Sequence, residues 1–162
     1  MKLGIIADTH DNLPMIRKAV EFFNQEKVNL VLHAGDWVAP FVFNEFEHLN
    51  CKIRGVFGNN DGEKFLLKKH CPEIYFSPYE LQLEGRKILL LHAPAQITAL
   101  AKSGDFDIII YGHTHKPEIY VPEGTKTLII NPGECSGWLY NKPTVGILDL
   151  STLEARIVKL DK

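Results

Sequence analysis

Met1-Lys2-Leu3-Gly4-Ile5-Ile6-Ala7-Asp8-Thr9-His10 opens the chain, and its reading decides the fold. Apolar side chains fill positions 3, 5, 6 and 7, and two metal-capable groups, Asp8 and His10, follow one residue apart. A near-continuous apolar run of this length predicts a strand buried on both faces of a sheet. The polar pair then falls at the carboxyl end of that strand, the edge where open α/β sheets place their ligands. Alternation along a strand would turn Asp8 and His10 to the same side, so that one bound ion could use both. Taken alone the stretch also fits a plain strand end, with Asp11 or Asn12 capping a helix, and its partners have to be sought elsewhere.

Moving outward, Asn12 is a predicted helix N-cap with Pro14 in the first turn, and Leu13, Ile16, Val20 and Phe23 recur at helical spacing. Val28–Leu32 is a second buried-type strand, Val42–Leu49 is expected to be helical, and Cys51–Phe57 is a third strand. Glu63–His70 reads as a short helix closed by Pro72. Three strand–turn–helix units in succession predict a parallel α/β half with right-handed crossovers. In the second half Glu80–Leu83 and Lys87–Leu91 flank the hairpin signal Glu84-Gly85-Arg86. A helix over Gln96–Ser103 and a strand over Asp107–Tyr111 follow. Ile119–Val121, Lys126–Ile130, Thr144–Leu150 and Glu154–Leu160 are further β-type segments split by turn residues. The order predicts one α/β domain over residues 1–162, with two sheets face to face and helices outside.

Composition excludes several classes. The 162 residues are 45% hydrophobic and 23% charged, ordinary for a globular chain that can bury a core without staples. A formal charge of −2 supplies no basic field, so stable nucleic-acid binding is not expected. The three cysteines, Cys51, Cys71 and Cys135, are odd in number and far apart, which argues against a disulfide framework and for a reducing, cytoplasmic setting. No secretory leader and no membrane-length apolar stretch is visible, so no membrane partner is expected. Gly-x-Gly-x-x-Gly and Gly-x-x-x-x-Gly-Lys-Ser/Thr loops are absent, which removes the nucleotide folds built on them.

The polar residues then repeat one grammar. Asp8 and His10 end the first strand, Asp36 ends the second and Asn59 the third. His92 ends the strand Lys87–Leu91, and His113 and His115 follow Asp107–Tyr111 within Gly112-His113-Thr114-His115. Singly, each has a plain explanation: Gly-Asp and Asn as turn residues, His-x-His as an exposed strand, a lone His as a polar strand end. Jointly, five coincidences in a fixed order are required. Two carboxylates, one amide and four imidazoles suit first-row ions such as Mn, Fe, Zn or Ni rather than Ca. Seven donors exceed what one tetrahedral ion with an open position takes. They match two ions about 3.5–4 Å apart that share a carboxylate. Such a pair against two carboxylates leaves a charge of about +2, which attracts a phosphate ester and acidifies bound water.

The ordered series Asp8-x-His10, Gly35-Asp36, Gly58-Asn59, His92 and Gly112-His113-x-His115 resembles the calcineurin-like metallophosphoesterases, and in size their small single-domain phosphodiesterase branch of bacteria and archaea. The resemblance implies a four-layer αββα sandwich of two mixed β-sheets flanked by helices. It implies that Asp8, His10, Asp36 and His115 hold one ion and that Asp36, Asn59, His92 and His113 hold the other, with Asp36 bridging. A hydroxide bridging the ions would attack a phosphodiester in line with the leaving group. Asp36, Asn59 and Asn60 are the expected catalytic residues, Mn²⁺ is the first expected metal, and Ni²⁺, Fe²⁺ or Zn²⁺ are its alternatives.

The chain departs from the family pattern at three points. Many members read Gly-Asn-His-Asp/Glu in the third motif, whose His can protonate the leaving oxygen; here Gly58-Asn59-Asn60-Asp61 lacks it. Asp61 would replace it only with a raised pKa. Ala39 stands at the last position of the Gly-Asp-x-x-Asp motif, and Ala93-Pro94 follows His92 where many relatives have Gly. These departures leave two other functions to weigh against a small-substrate phosphodiesterase: a non-catalytic interaction scaffold, and a nuclease, which the charge disfavours. His33 is expected to be a polar strand end, with a supporting place beside Asp36 as the alternative; Cys135 is expected to be structural, in a Gly-rich turn over Asn131–Gly137 that is a candidate to line the site or a subunit contact. Trp37 and Trp138 are candidates for a pocket wall or a homodimer contact, with burial the expected place for Trp138.

Overall fold

The computed structural model describes residues 1–161. The opening stretch forms β1 (Lys2–Ile6) at the centre of a six-stranded sheet. Beside it lie β2 (Leu30–His33), β3 (Lys52–Val56) and the two-residue β4 (Ile74–Tyr75), all parallel. On its other side β10 (Thr144–Asp149) and β11 (Ala155–Lys159) return antiparallel. The second sheet runs β5-β6-β7-β9-β8. Its central strands β6 (Arg86–Leu90), β7 (Ile108–Ile110) and β9 (Leu128–Asn131) are parallel. Its edge strands β5 (Tyr79–Leu83) and β8 (Glu118–Tyr120) are antiparallel to their neighbours.

Period-two alternation in β1 explains the layering. Leu3, Ile5 and Ala7 face the core between the sheets, where they meet Ile88, Leu90, Ile108 and Ile110. Ile6 faces the other way, onto the helix α1 (Leu13–Glu26). Asn12 caps that helix, its side chain accepting from the Met15 N–H, and Pro14 occupies the first turn. Gly4 lets α1 approach, because a Cβ there would lie 2.8 Å from the Phe23 ring. Phe23 is fully buried, and truncating such a ring costs about 3–5 kcal/mol. Outside the second sheet, α4 (Ile97–Ser103) lays Ile97 and Ala101 onto Leu89, Ile109 and Ile129. The order helix, sheet, sheet, helix is therefore the predicted four-layer arrangement of two mixed sheets.

Two local expectations are corrected. The helix expected over Val42–Leu49 is a 3₁₀ turn at Pro40–Val42 followed by a single α turn, α2 (Phe43–Phe46). Beyond it His48 and Leu49 donate to the carbonyls of Glu45 and Phe46, so the segment tightens into i→i−3 turns. β4 was not expected: two residues carry no periodic signal, and the strand exists because it pairs with β3 after α3 (Lys64–His70).

Candidate metal centre

Six parallel strand ends, β1, β2, β3, β6, β7 and β9, point their carboxyl termini at one edge of the sandwich, and the loops beyond them carry the candidate side chains. Strand alternation is not what brings Asp8 and His10 together, contrary to the expectation above. β1 ends at Ile6, and Asp8 and His10 lie beyond it with φ of 51° and 41°. The Asp8 N–H donates to the Gly35 carbonyl, and the N–H groups of Thr9 and His10 donate to the Asp36 carbonyl, so the first loop is locked onto the second. Asp36, His113 and His115 also have positive φ, at 62°, 67° and 60°. Non-glycine residues adopt that region at a cost and concentrate there at functional sites. Gly58 keeps the third loop close: a Cβ there would sit 2.1 Å from the Asp36 Oδ1.

All seven candidate donors converge. His10 Nε2 lies 3.5 Å from Asp36 Oδ2, 3.9 Å from Asp8 Oδ1 and 3.4 Å from His115 Nε2. His115 Nε2 is 3.4 Å from Asp8 Oδ1. On the other side His92 Nε2 is 3.4 Å from Asp36 Oδ2 and 2.8 Å from Asn59 Oδ1. His113 Nδ1 is 2.9 Å from the same amide oxygen and 3.2 Å from His92 Nε2. Two sets bring donor atoms within 4.8 Å of one another: Asp8, His10 and His115; and Asp8, Asp36 and His92. Asp8 belongs to both sets, and Asp36 Oδ2 lies within 3.5 Å of both His10 and His92.

The donor chemistry fits divalent cations. His92 sets its Nδ1 against the Ala34 carbonyl at 2.8 Å, and His115 sets its Nδ1 against Glu134 at 2.9 Å. Each contact places a ring proton on Nδ1 and turns Nε2 into the centre, where that of His92 stands 3.4 Å from the Asp36 carboxylate. The Nε2 atoms of His10 and His115 face each other at 3.4 Å, close enough for one cation to use both. Burial pushes the Asp8 carboxyl up to about 7, against the pull of His115 and His92, as expected of a buried carboxylate without a counter-charge. Burial also opposes ionisation of Asp36, yet hydrogen bonds from His92 and Asn60 outweigh it and hold that carboxyl well below its ordinary range. Burial lowers His10 and His113, keeping them neutral and ligand-competent. For His92 burial acts the same way, but the Asp36 carboxylate prevails and raises it.

Several supports come from His33 and the Asn131–Gly137 turn, which the sequence offered as candidates beside the site without assigning their roles. Glu134 is fully buried and accepts from Leu139 N, Tyr140 N and Ser136 Oγ as well as His115. It follows β9 by three residues, as Asn59 follows β3, so the same strand-end signal pointed to it. Asn131 donates its amide to the Gly112 carbonyl and Thr114 Oγ1, tying down the loop of His113 and His115. His33, read as a polar strand end, does end β2, but it is fully buried and stacks on Trp37 at 3.6 Å. Its Nδ1 accepts from Gly35 N and its Nε2 meets Thr9 Oγ1, which in turn donates to the Asp36 carbonyl.

The departures from the family pattern also have places. Asn60 donates its backbone N–H to Asp36 Oδ1 and its amide to Asp36 Oδ2 at 2.7 Å. Asp61 is buried with both oxygens used, accepting from Val38 N and Gly58 N at 2.7 Å each. Burial raises its pKa, but a carboxylate committed to two loop amides is a clamp rather than a proton donor to the centre. Ala39 donates its N–H to Asp11 Oδ1. Cys135 is buried, as expected of a structural residue. Trp138 is not: the ring expected in the core is 64% exposed, and its Nε1 donates to the His10 carbonyl at 3.2 Å. Trp37 is the buried one.

Fold and site together define an α/β phosphoesterase of the two-sheet kind. The chain belongs to the calcineurin-like phosphoesterase superfamily, whose domain model matches residues 1–153. It is 44% identical to a phosphodiesterase of Methanocaldococcus jannaschii over 99% of this chain and 100% of that one. It is 26% identical to phosphodiesterase YfcE of Escherichia coli over 84% and 80% of the two chains. The solved structure of an archaeal phosphodiesterase superposes with a TM-score of 0.91 at 42% identity, covering 99% of this chain and all of the other. A zinc complex of vacuolar protein sorting protein 29 from Entamoeba histolytica shares the fold, with a TM-score of 0.69 at 18% identity over 99% and 100% of the chains. Among the described residues no helix is long and apolar enough to cross a membrane.

Proposed function

We propose that the chain is a single-domain cytoplasmic phosphodiesterase that works on small diesters through two divalent transition-metal ions, Mn²⁺ first among them. Asp8, His10, Asp36 and His115 would hold one ion, and Asp36, Asn59, His92 and His113 the other. When bound, the ions supply Lewis acidity toward the phosphoryl oxygens and a water acidic enough to be hydroxide near neutral pH. The observation that carries the reading is the convergence of seven oxygen and nitrogen donors from five separate loops. The 44% identity to a full-length archaeal phosphodiesterase supports the choice of diesters.

The chain's own residues perform the rest. Glu134 fixes the His115 ring and the Ala34 carbonyl fixes His92, so neither ligand has to reorganise when substrate arrives. Asn60 braces Asp36 and offers no proton to a departing oxygen. Diesters with acidic alcohols or phenols as leaving groups are therefore favoured over alkyl esters.

Hydrolysis of bis(p-nitrophenyl) phosphate by purified protein tests the proposal. Activity should disappear with chelator and return with Mn²⁺. Asp36→Ala should lose both bound metal and turnover; full turnover in that variant would defeat the assignment.

A further inference from the structure

Trp138 stands 64% exposed beside the metal centre, although tryptophan is highly buried on average. It is not a loose surface ring. The segment before it is laced to the first loop residue by residue. Cys135 donates its N–H to the Ala7 carbonyl, Ser136 donates its N–H to the Asp8 carbonyl, and the Asn12 amide donates to the Ser136 carbonyl. The indole Nε1 continues the series by donating to the His10 carbonyl at 3.2 Å. Just after the ring, Leu139 and Tyr140 donate their N–H groups to Glu134, the carboxylate that also holds His115. Gly137, with φ of 65°, makes the turn between the two anchored stretches. Trp138 is thus tied to the loop of His10 and to the support of His115, two of the ligands proposed for one ion. Its polar edge is satisfied, and the apolar rest of the indole is left largely to solvent.

A ring already fixed at the edge of a binding centre needs little further ordering when a flat partner lies on it, and stacking of a base on an aromatic side chain is a substantial contact. Phe41, Phe65 and Phe76 are exposed as well, but they have no polar edge by which a ligand loop can hold them. Asn60, at the position where many relatives carry the proton donor, follows Asn59 on the His92 half of the centre, whereas Trp138 is bonded to the His10 half. The leaving group and Trp138 therefore belong to different halves, and the arm nearest the indole is the one that stays on phosphorus. We infer that Trp138 is a specificity-determining residue, a stacking platform for a flat aromatic ring carried on the retained arm of the diester. The inference rests on the phosphodiesterase reading and sharpens it: a diester whose retained arm bears such a ring is preferred to the same diester without one.

The p-nitrophenyl ester of thymidine 5′-monophosphate and its abasic counterpart, in which hydrogen replaces thymine, share leaving group, sugar and charge. The Mn²⁺-loaded protein should show kcat/KM about tenfold higher for the ester with the base, within the range of one base–aromatic stack. Trp138→Phe keeps a ring and should keep most of that preference, whereas Trp138→Ala should abolish it. Equal rates in the unaltered protein, or a preference that survives in the alanine variant, overturn the platform. So does an equal loss of both esters in the two variants, because the ring would then serve only to hold His10 through Nε1. Ethyl and phenethyl p-nitrophenyl phosphates repeat the comparison for a plain aryl ring: a gain there as well assigns the platform to flat rings in general, and a gain confined to thymidine assigns it to a nucleobase. Fluorescence reads the ring without turnover, since the other tryptophan, Trp37, is fully buried. Thymidine 5′-monophosphate should quench the metal-loaded protein saturably, inorganic phosphate should not, and Trp138→Phe should remove the response. Emission that follows protein concentration and ignores the nucleotide would mean that a second copy covers the ring, and overturns the platform. Quenching without hydrolysis of any ester would retire the phosphodiesterase reading and leave the platform standing.

Discussion

The buried carboxylate of Glu134 accepts the Nδ1–H of His115 at 2.9 Å, and with it the orientation of a candidate metal ligand is fixed from behind. Partners of this kind typically change metal affinity by about 10–100-fold when removed. Glu134→Gln should weaken metal binding within that range, measured by competition with a chromogenic chelator. Affinity equal to that of the unaltered protein would show that His115 is not a ligand or is held by other means.

Asp61 bridges the second and third loops by accepting from Val38 N and Gly58 N. Asp61→Asn turns one acceptor into a donor facing an N–H, a mismatch of about 1–3 kcal/mol. In a chain of this length that lowers Tm by roughly 3–10 °C. If Asp61 were instead the proton donor, the variant would melt normally and lose activity mainly toward esters with poor leaving groups.

Asn60→His restores the residue type many relatives carry, in a loop whose backbone is already braced on Asp36. Turnover of alkyl phosphodiesters should rise relative to that of bis(p-nitrophenyl) phosphate, by up to the 10²-fold common for positioned acid catalysis. An unchanged ratio between the two substrate types would mean that the leaving oxygen does not pass near position 60.

Loading the centre should stabilise the chain. An ion present at about 100 times its Kd adds about 2.7 kcal/mol, and for this length Tm should climb by roughly 5–10 °C. Thermal melts with chelator and with Mn²⁺ read this directly. The Asp36→Ala variant should show little or none of the shift.

Acid sensitivity has a separate origin in ion pairs away from the metal centre. Hydrogen bonds hold three carboxyls below their ordinary 4.5: Arg17 acts on Glu45, Arg156 and Lys2 on Glu26, and Arg54 on Glu73. A folded-state pKa below the unfolded one gives stability that is complete above the unfolded value and is lost as pH falls through the folded one. Chelator-treated protein should therefore lose Tm below about pH 4.5, and Glu45→Gln should flatten that slope. An equally steep decline in the variant would remove Glu45 from the account.

Much of this molecule is legible in its sequence because strand ends and ligands obey one local rule. Asp8, Asp36, Asn59, His92, His113 and His115 each follow an apolar run by a few residues, and short-range pattern suffices to place them. Glu134 obeys the same rule behind β9 but is a residue type common in turns, and only its four donors reveal its role. The Asp61 clamp, the pairing of β4 with β3 and the exposure of Trp138 depend on contacts between segments far apart in the chain, which no local pattern encodes. Asp8 and His10 are the instructive case. Their convergence was foreseen for a strand and is achieved by left-handed backbone pinned to the neighbouring loop.

Five of the seven candidate ligands, Asp8, His10, Asp36, His113 and His115, sit at backbone angles that suit glycine better than themselves. Each such position stores roughly 1 kcal/mol or more against the folded state. Selection for heat resistance alone, in a medium without metal, would therefore reward glycine at these sites and erode the centre before any part of the core. Thermostable descendants bred with their ions present would keep the ligands and gain elsewhere, so the growth medium would decide whether a sturdier chain is still an enzyme.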